Sequence, residues 1–170
     1  MLFTTDEEEN ILLAKAALKI KLNDLALTIG KLGLENSRSW FLSGGAIGSL
    51  LRNETPKDFD IYFIESIWAN QVIRLFKNDP SYQNEVAVYE EKYRDVNSVP
   101  KGKVITENAV TLKSDIQLIT KHYGTPDEIR ATFDYVHCMP WYDPFNHILY
   151  ISREQYDLNI RKELVINNQS

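Results

Sequence analysis

One stretch constrains this chain more than any other. Trp40-Phe41-Leu42-Ser43 runs into Gly44-Gly45, the short segment Ala46 to Leu51 follows, and Lys57-Asp58-Phe59-Asp60-Ile61-Tyr62-Phe63 closes it. An apolar run, a glycine pair, a short apolar-rich segment and a second apolar run read as strand, tight turn, helix and strand. On the second strand the side chains alternate, so Asp58 and Asp60 share one face while Phe59 and Ile61 turn to the core. Two carboxylates on one strand face repel each other, and aspartate is a poor strand former. A hard divalent cation explains the pair, since Mg²⁺ takes one or two carboxylates together with phosphate oxygens. The glycines let a ligand approach the main chain, and the following helix aims N–H groups and partial positive charge at the turn. Turn and acid pair together describe a nucleoside triphosphate and its metal.

Composition sets the bounds around this motif. At 170 residues and 44% hydrophobic content the chain is one domain in size, with enough apolar material for a core. A net charge of −5 argues against a general nucleic-acid coat and leaves room only for a local basic rim. The single cysteine, Cys138, allows no internal disulfide and fits a reducing cytoplasm. The acidic stretch Asp6 to Glu9 has the wrong charge for a signal or transit peptide, and no apolar run is long enough for a membrane span. A cytoplasmic protein with no membrane partner is expected.

Along the chain, residues 6–33 carry helix formers with apolar residues at helical spacing, and read as one long or two shorter helices. The core motif spans 39–64. Ser66 caps a helix through Phe76, stopped by Asn78-Asp79-Pro80. Residues 81–103 are polar, partly helical from Glu85 to Tyr93, then a loop ending in Lys101-Gly102-Lys103. The distal region, 104–165, opens with strands over Val104–Leu112 and Asp115–Thr120, joined as a hairpin by Lys113-Ser114. Thr125-Pro126-Asp127-Glu128 is a capping box with Pro at the first helical position, starting a helix to about Thr132. Tyr135 to Trp141 reads as a strand, Asp143 to Asn146 as a turn, and His147 to Ile151 as its partner strand. Ser152 with Gln155 caps a last helix to about Leu164, and the tail from Asn167 is expected to fray. The result is one α+β domain over 1–170: a small mixed, mostly antiparallel sheet with helices packed largely on one side.

Gly44-Gly45, a short helix and Lys57-Asp58-Phe59-Asp60-Ile61 resemble the motif of the polymerase β-like nucleotidyltransferase superfamily. The nearest likeness is to the head domain of poly(A) polymerases and CCA-adding tRNA nucleotidyltransferases, which read Gly-Gly-Ala-Val-Arg-Asp followed by Lys-Asp-Ile-Asp. The usual Arg-Asp is here Gly48-Ser49, so the roles of those two side chains do not carry over. The resemblance implies transfer of a nucleoside monophosphate from a nucleoside triphosphate to an acceptor, with release of pyrophosphate. It implies two Mg²⁺ ions, with Mn²⁺ as the alternative, held by Asp58, Asp60 and a third carboxylate on a neighbouring strand. Asp115, opening Ser114-Asp115-Ile116-Gln117-Leu118-Ile119, matches the segment that carries this third acid, although it equally suits a hairpin turn. Asp134 competes for the role through a fainter likeness at Phe133-Asp134-Tyr135, with helix or strand capping as its plain explanation. Ser43, Gly44, Gly45 and Lys57 are the expected triphosphate contacts. Ser43 also suits a tight turn, and Lys57, Arg52 and Lys113 a solvated surface.

The acceptor stays open among RNA or tRNA, a protein and a small molecule, because the chain has no room for the neck and body that grip RNA in the longer enzymes. A catalytically silent relative used for binding or regulation is the alternative. Two rivals fall away on the residues. His122, His137 and His147 with one cysteine lack zinc-ligand spacing. Ser43 to Gly48 nearly matches the dinucleotide fingerprint, but two acids inside the second strand and no further βα repeats oppose it.

Overall fold

The computed structural model describes residues 2–33, 39–88 and 103–168. Helix α1 (Thr5–Lys31) is a single unit, opened by a capping box in which Thr4 and Glu7 exchange side-chain and backbone hydrogen bonds. The central motif forms as its sequence dictates: β1 (Trp40–Ser43), α2 (Gly45–Leu51) and β2 (Phe59–Phe63). Helices α3 (Ser66–Asn78) and α4 (Pro80–Gln83) follow, then the hairpin β3 (Ala109–Thr111) and β4 (Ile116–Tyr123). Helix α5 (Pro126–Arg130), a 3₁₀ turn at Val136–Cys138, strands β5 (Trp141–Asp143) and β6 (Ile148–Tyr150), and α6 (Arg153–Arg161) complete the fold.

The six strands form one sheet in the order β3-β4-β2-β1-β5-β6. Every neighbouring pair is antiparallel except β2 and β4, which run parallel. This is the small, mostly antiparallel α+β architecture that the sequence predicts. Alternation divides the sheet into two unequal faces. Leu42, Ile61, Phe63 and Leu118 point to one side, where they bury against Leu18 and Leu22 of α1, Ile47 of α2 and Val72 of α3. Each of these fully buried side chains contributes about 1.5–3 kcal/mol of transfer free energy. Phe41, Tyr62 and Ile129 form a smaller cluster on the other face, with Ile119, Phe133 and Trp141 beside it. Helices therefore lie largely on one side, and the second face is left partly open.

Several local expectations are corrected. Glu65, not Ser66, is the N-cap of α3, without a side-chain bond. Glu85 ends a turn and residues 86–88 are bridged rather than helical: Val86 pairs with Leu112 and Val88 with Lys103. The rest of that expected helix, 89–93, and the loop residues 101–102 lie outside the described residues. Strand Val104–Leu112 folds back on itself, because the Thr106 hydroxyl accepts from the N–H groups of Asn108 and Ala109 and makes a tight turn. Tyr135–Trp141 is not a strand until Trp141; Pro140 has no N–H to give a ladder, and Val136–Cys138 coils into the 3₁₀ turn instead. Helix α6 stops at Arg161 because Lys162 takes a left-handed conformation, φ 55°. The tail is fastened rather than frayed at Asn167, whose amide donates to the carbonyls of Arg130 and Phe133.

Candidate functional site

Asp60 lies on the open face of the sheet, while Asp58, expected inside the same strand, stands one residue before β2 begins. Phe59 and Ile61 are buried in the main core, so Asp60 between them turns the other way. Strand β4 sets Gln117 beside Asp60 and Leu118 beside Ile61. With Leu118 in the core, Gln117, Ile119 and Lys121 join Asp60 on the open face. There they line a cleft of about 500 Å³, together with Phe133, Asp134 and Cys138. Gln117 donates from Nε2 to Asp58 Oδ1 at 3.4 Å.

The glycine turn is built around Asp60. Gly44 sits at φ 107°, a conformation open to glycine, and a Cβ there would lie 3.2 Å from Asp60 Oδ2. Its N–H donates to Cys138 O at 3.2 Å. Ser43 is fully buried, and its hydroxyl donates to Pro140 O at 2.7 Å, so it fastens the cleft wall rather than facing a phosphate. Gly44 and Gly45 line the cleft.

Electrostatics single out Asp60. Burial, and then the neighbouring Asp58 carboxylate, push its pKa from 3.8 up to about 6. Its Oδ1 is buried and meets no hydrogen-bond donor among the described residues. A carboxylate oxygen left in that state fits a bound cation, and Asp58 beside it fits the charge a divalent ion needs. Burial also raises the Cys138 thiol, helped by Asp60 and Asp134, and raises the Tyr62 phenol. Neither is poised as a nucleophile. Burial and then Arg52 lower the pKa of His137.

Asp58 and Asp60 are a donor set that fits Mg²⁺ shared with phosphate oxygens. Among the described residues no three His, Cys, Asp or Glu side chains gather as a metal cluster. Asp115 sits in the β3–β4 turn at φ 68°, exposed, with its carbonyl accepting from Phe59 N at 2.9 Å, and it is not part of the cleft lining. Asp60 and Asp134 are part of it, and Asp58 stands just outside, tied to the lining through Gln117. Lys57 is exposed and also outside the lining, whereas Lys121 is the lysine inside it.

A model of the family described as Gabija anti-defense 2 family protein matches residues 13–162. The chain belongs to the Gabija anti-defense 2 family. No curated protein matches it. The span shared with the Gabija anti-defense 2 family takes in the acid pair, the glycine turn and every wall of the cleft.

In this family member the position that would carry arginine in the CCA-adding pattern has a packing explanation. A Cβ on Gly48 would overlap the carboxamide of Asn159, which is only 1% exposed. Asn159 donates from Nδ2 to His137 O at 2.9 Å and to Gln155 O at 2.8 Å, while Arg52 donates to its backbone carbonyl at 3.1 Å. Gly48 and Arg52 on or beside α2 thus hold α6, and α6 holds the 3₁₀ turn of the cleft wall. Gln117 and Lys121 were open to discovery from the sequence, since they share the period-two face of Ile119, but their pairing with β2 was not.

Proposed function

We propose that this chain is a metal-dependent nucleotidyltransferase, transferring a nucleoside monophosphate from a nucleoside triphosphate to an acceptor. The observation that carries the reading is Asp60 against the Gly44 turn, its Oδ1 buried and lacking a donor among the described residues, with the Asp58 carboxylate as its charged neighbour. Asp58 and Asp60 would hold the divalent ion, Mg²⁺ or Mn²⁺. When bound, that ion neutralises triphosphate charge and makes an acceptor hydroxyl more acidic. Gly44 and Gly45 form a wall that phosphates can approach without meeting a Cβ, and Lys121 adds a cation to the same cleft. The acceptor oxygen attacks the α-phosphorus, the bond to the β-bridging oxygen breaks, and pyrophosphate leaves. Asp134, which also lines the cleft, would take the acceptor's proton. This chemistry rests on placement and charge neutralisation, so few other side chains are needed.

The reading belongs to the cytoplasm, where triphosphates are abundant, and among the described residues no helix is long and apolar enough to cross a membrane. The family description names an anti-defense role against Gabija. A component of that defence is therefore the first acceptor to test, ahead of RNA or tRNA and small molecules. One observation favours a second reading, a binding module without turnover: the residue beside Asp60 on β4 is Gln117, where a third carboxylate would complete a two-ion site. Incubation with α-labelled triphosphates, Mg²⁺ and each acceptor pool separates them. Transfer lost in Asp58→Asn/Asp60→Asn supports the enzyme. Mg²⁺-dependent triphosphate binding without any transfer supports the module, and neither binding nor transfer overturns both.

A further inference from the structure

Helix α1 is apolar on two opposite faces. Leu18, Leu22, Leu25 and Ile29 bury against the sheet. On the far side Leu13, Ile20 and Leu27 stand 64%, 78% and 59% exposed. They recur every seven residues, the spacing that keeps one seam in line along a helix pair. The alternate positions of that seam are Ala16, Asn23 and Gly30, all small or short, and a Cβ at Gly30 would meet nothing within 4 Å. Small residues at those positions let a second helix come close.

We propose that this face pairs with α1 of a second copy of the chain, antiparallel, about a two-fold axis beside Ile20. Charge chooses the occupant and its direction. Acidic Asp6 and Glu9 lie at the N-terminal end of the exposed face and Lys31 at its C-terminal end. Glu9 and Lys31 are equally distant from Ile20, as are Leu13 and Leu27. An antiparallel copy therefore sets Leu13 on Leu27, Ile20 on Ile20 and Glu9 on Lys31 at both ends. A parallel copy would set Glu9 on Glu9 and Lys31 on Lys31, which repel. Lys19 flanks the seam near the axis, where its long stem carries the ammonium out to water. Because α1 covers the face of the sheet opposite the cleft, pairing leaves both clefts open, and this inference stands apart from the proposed chemistry.

Sedimentation velocity of the full chain over a concentration series tests it. The expected species has twice the chain mass. Ile20→Asp, at an exposed position, should give a monomer with an unchanged circular dichroism spectrum. Lys31→Glu should weaken the dimer, and Glu9→Lys/Lys31→Glu should restore it. A wild-type chain that stays monomeric into the millimolar range overturns the proposal. So does a dimer that survives Ile20→Asp, or a charge swap that fails to restore what Lys31→Glu removes.

Discussion

At the scale of single residues, Asp60 is held in a state that the fold alone does not favour. Its folded pKa of about 6 lies above its ordinary 3.8, so the folded state binds the proton more tightly than the unfolded chain does. The stability this group contributes is complete below pH 3.8 and is lost as pH rises through about 6. At about 1.4 kcal/mol per pKa unit, the charged form costs up to about 3 kcal/mol at neutral pH, less what residual solvent screens. In EDTA, Asp60→Asn should therefore melt higher than wild type at pH 7 and lose the decline between pH 4 and 7. Equal melting temperatures at pH 7 would contradict this account of the site. Asp115 and Asp134 make a second pair of tests. Asp115 occupies a turn at positive φ, a conformation asparagine also tolerates, and lies outside the cleft lining, so Asp115→Asn should leave turnover nearly unchanged. Asp134→Asn should lower turnover with triphosphate binding retained. The reverse pattern in steady-state kinetics would return the role to Asp115.

At the scale of elements, local chemistry was legible wherever one segment decides its own shape. The capping boxes Thr125–Glu128 and Ser152–Gln155 form as their sequences predict, with each hydroxyl accepting from the backbone N–H three residues on. The glycine turn and the period-two placement of Asp60 were equally plain. What could not be read was pairing across the chain. Strand β4 runs parallel to β2 after a long excursion, and only that register shows Gln117, not Asp115, beside Asp60. The turn at Val136–Cys138 was hidden because an apolar run ending in Met139-Pro140-Trp141 reads as a strand until Pro140 is weighed. Helices α2 and α6 also meet through a contact that no local pattern announces. Gly48→Ala should drive its methyl into the Asn159 carboxamide and loosen both α6 and the His137 carbonyl it holds. A loss of roughly 1–3 kcal/mol in urea unfolding is expected, as for other overpacked sites. An unchanged midpoint would show that Asn159 moves aside freely.

At the scale of the whole molecule, the two sheet faces divide the work. One face buries its alternate residues under α1, α2 and α3 and supplies most of the core. The other carries Asp60 in a cleft walled by Thr132 to Tyr135 and Cys138, the segment that follows α5. Net charge of −5 restricts any RNA contact to local lysines such as Lys121 in the cleft. Binding to RNA, where it occurs, should fall only shallowly with salt, by a little under one unit of slope per phosphate contact. The central claim is that Asp58 and Asp60 form a metal-dependent triphosphate site. Titration calorimetry tests it most directly, with a nucleoside triphosphate run in Mg²⁺, in EDTA, and against the Asp58→Asn/Asp60→Asn chain. Binding in Mg²⁺ that is lost both in EDTA and in the double variant is the predicted result; equal binding by wild type and the double variant would contradict it.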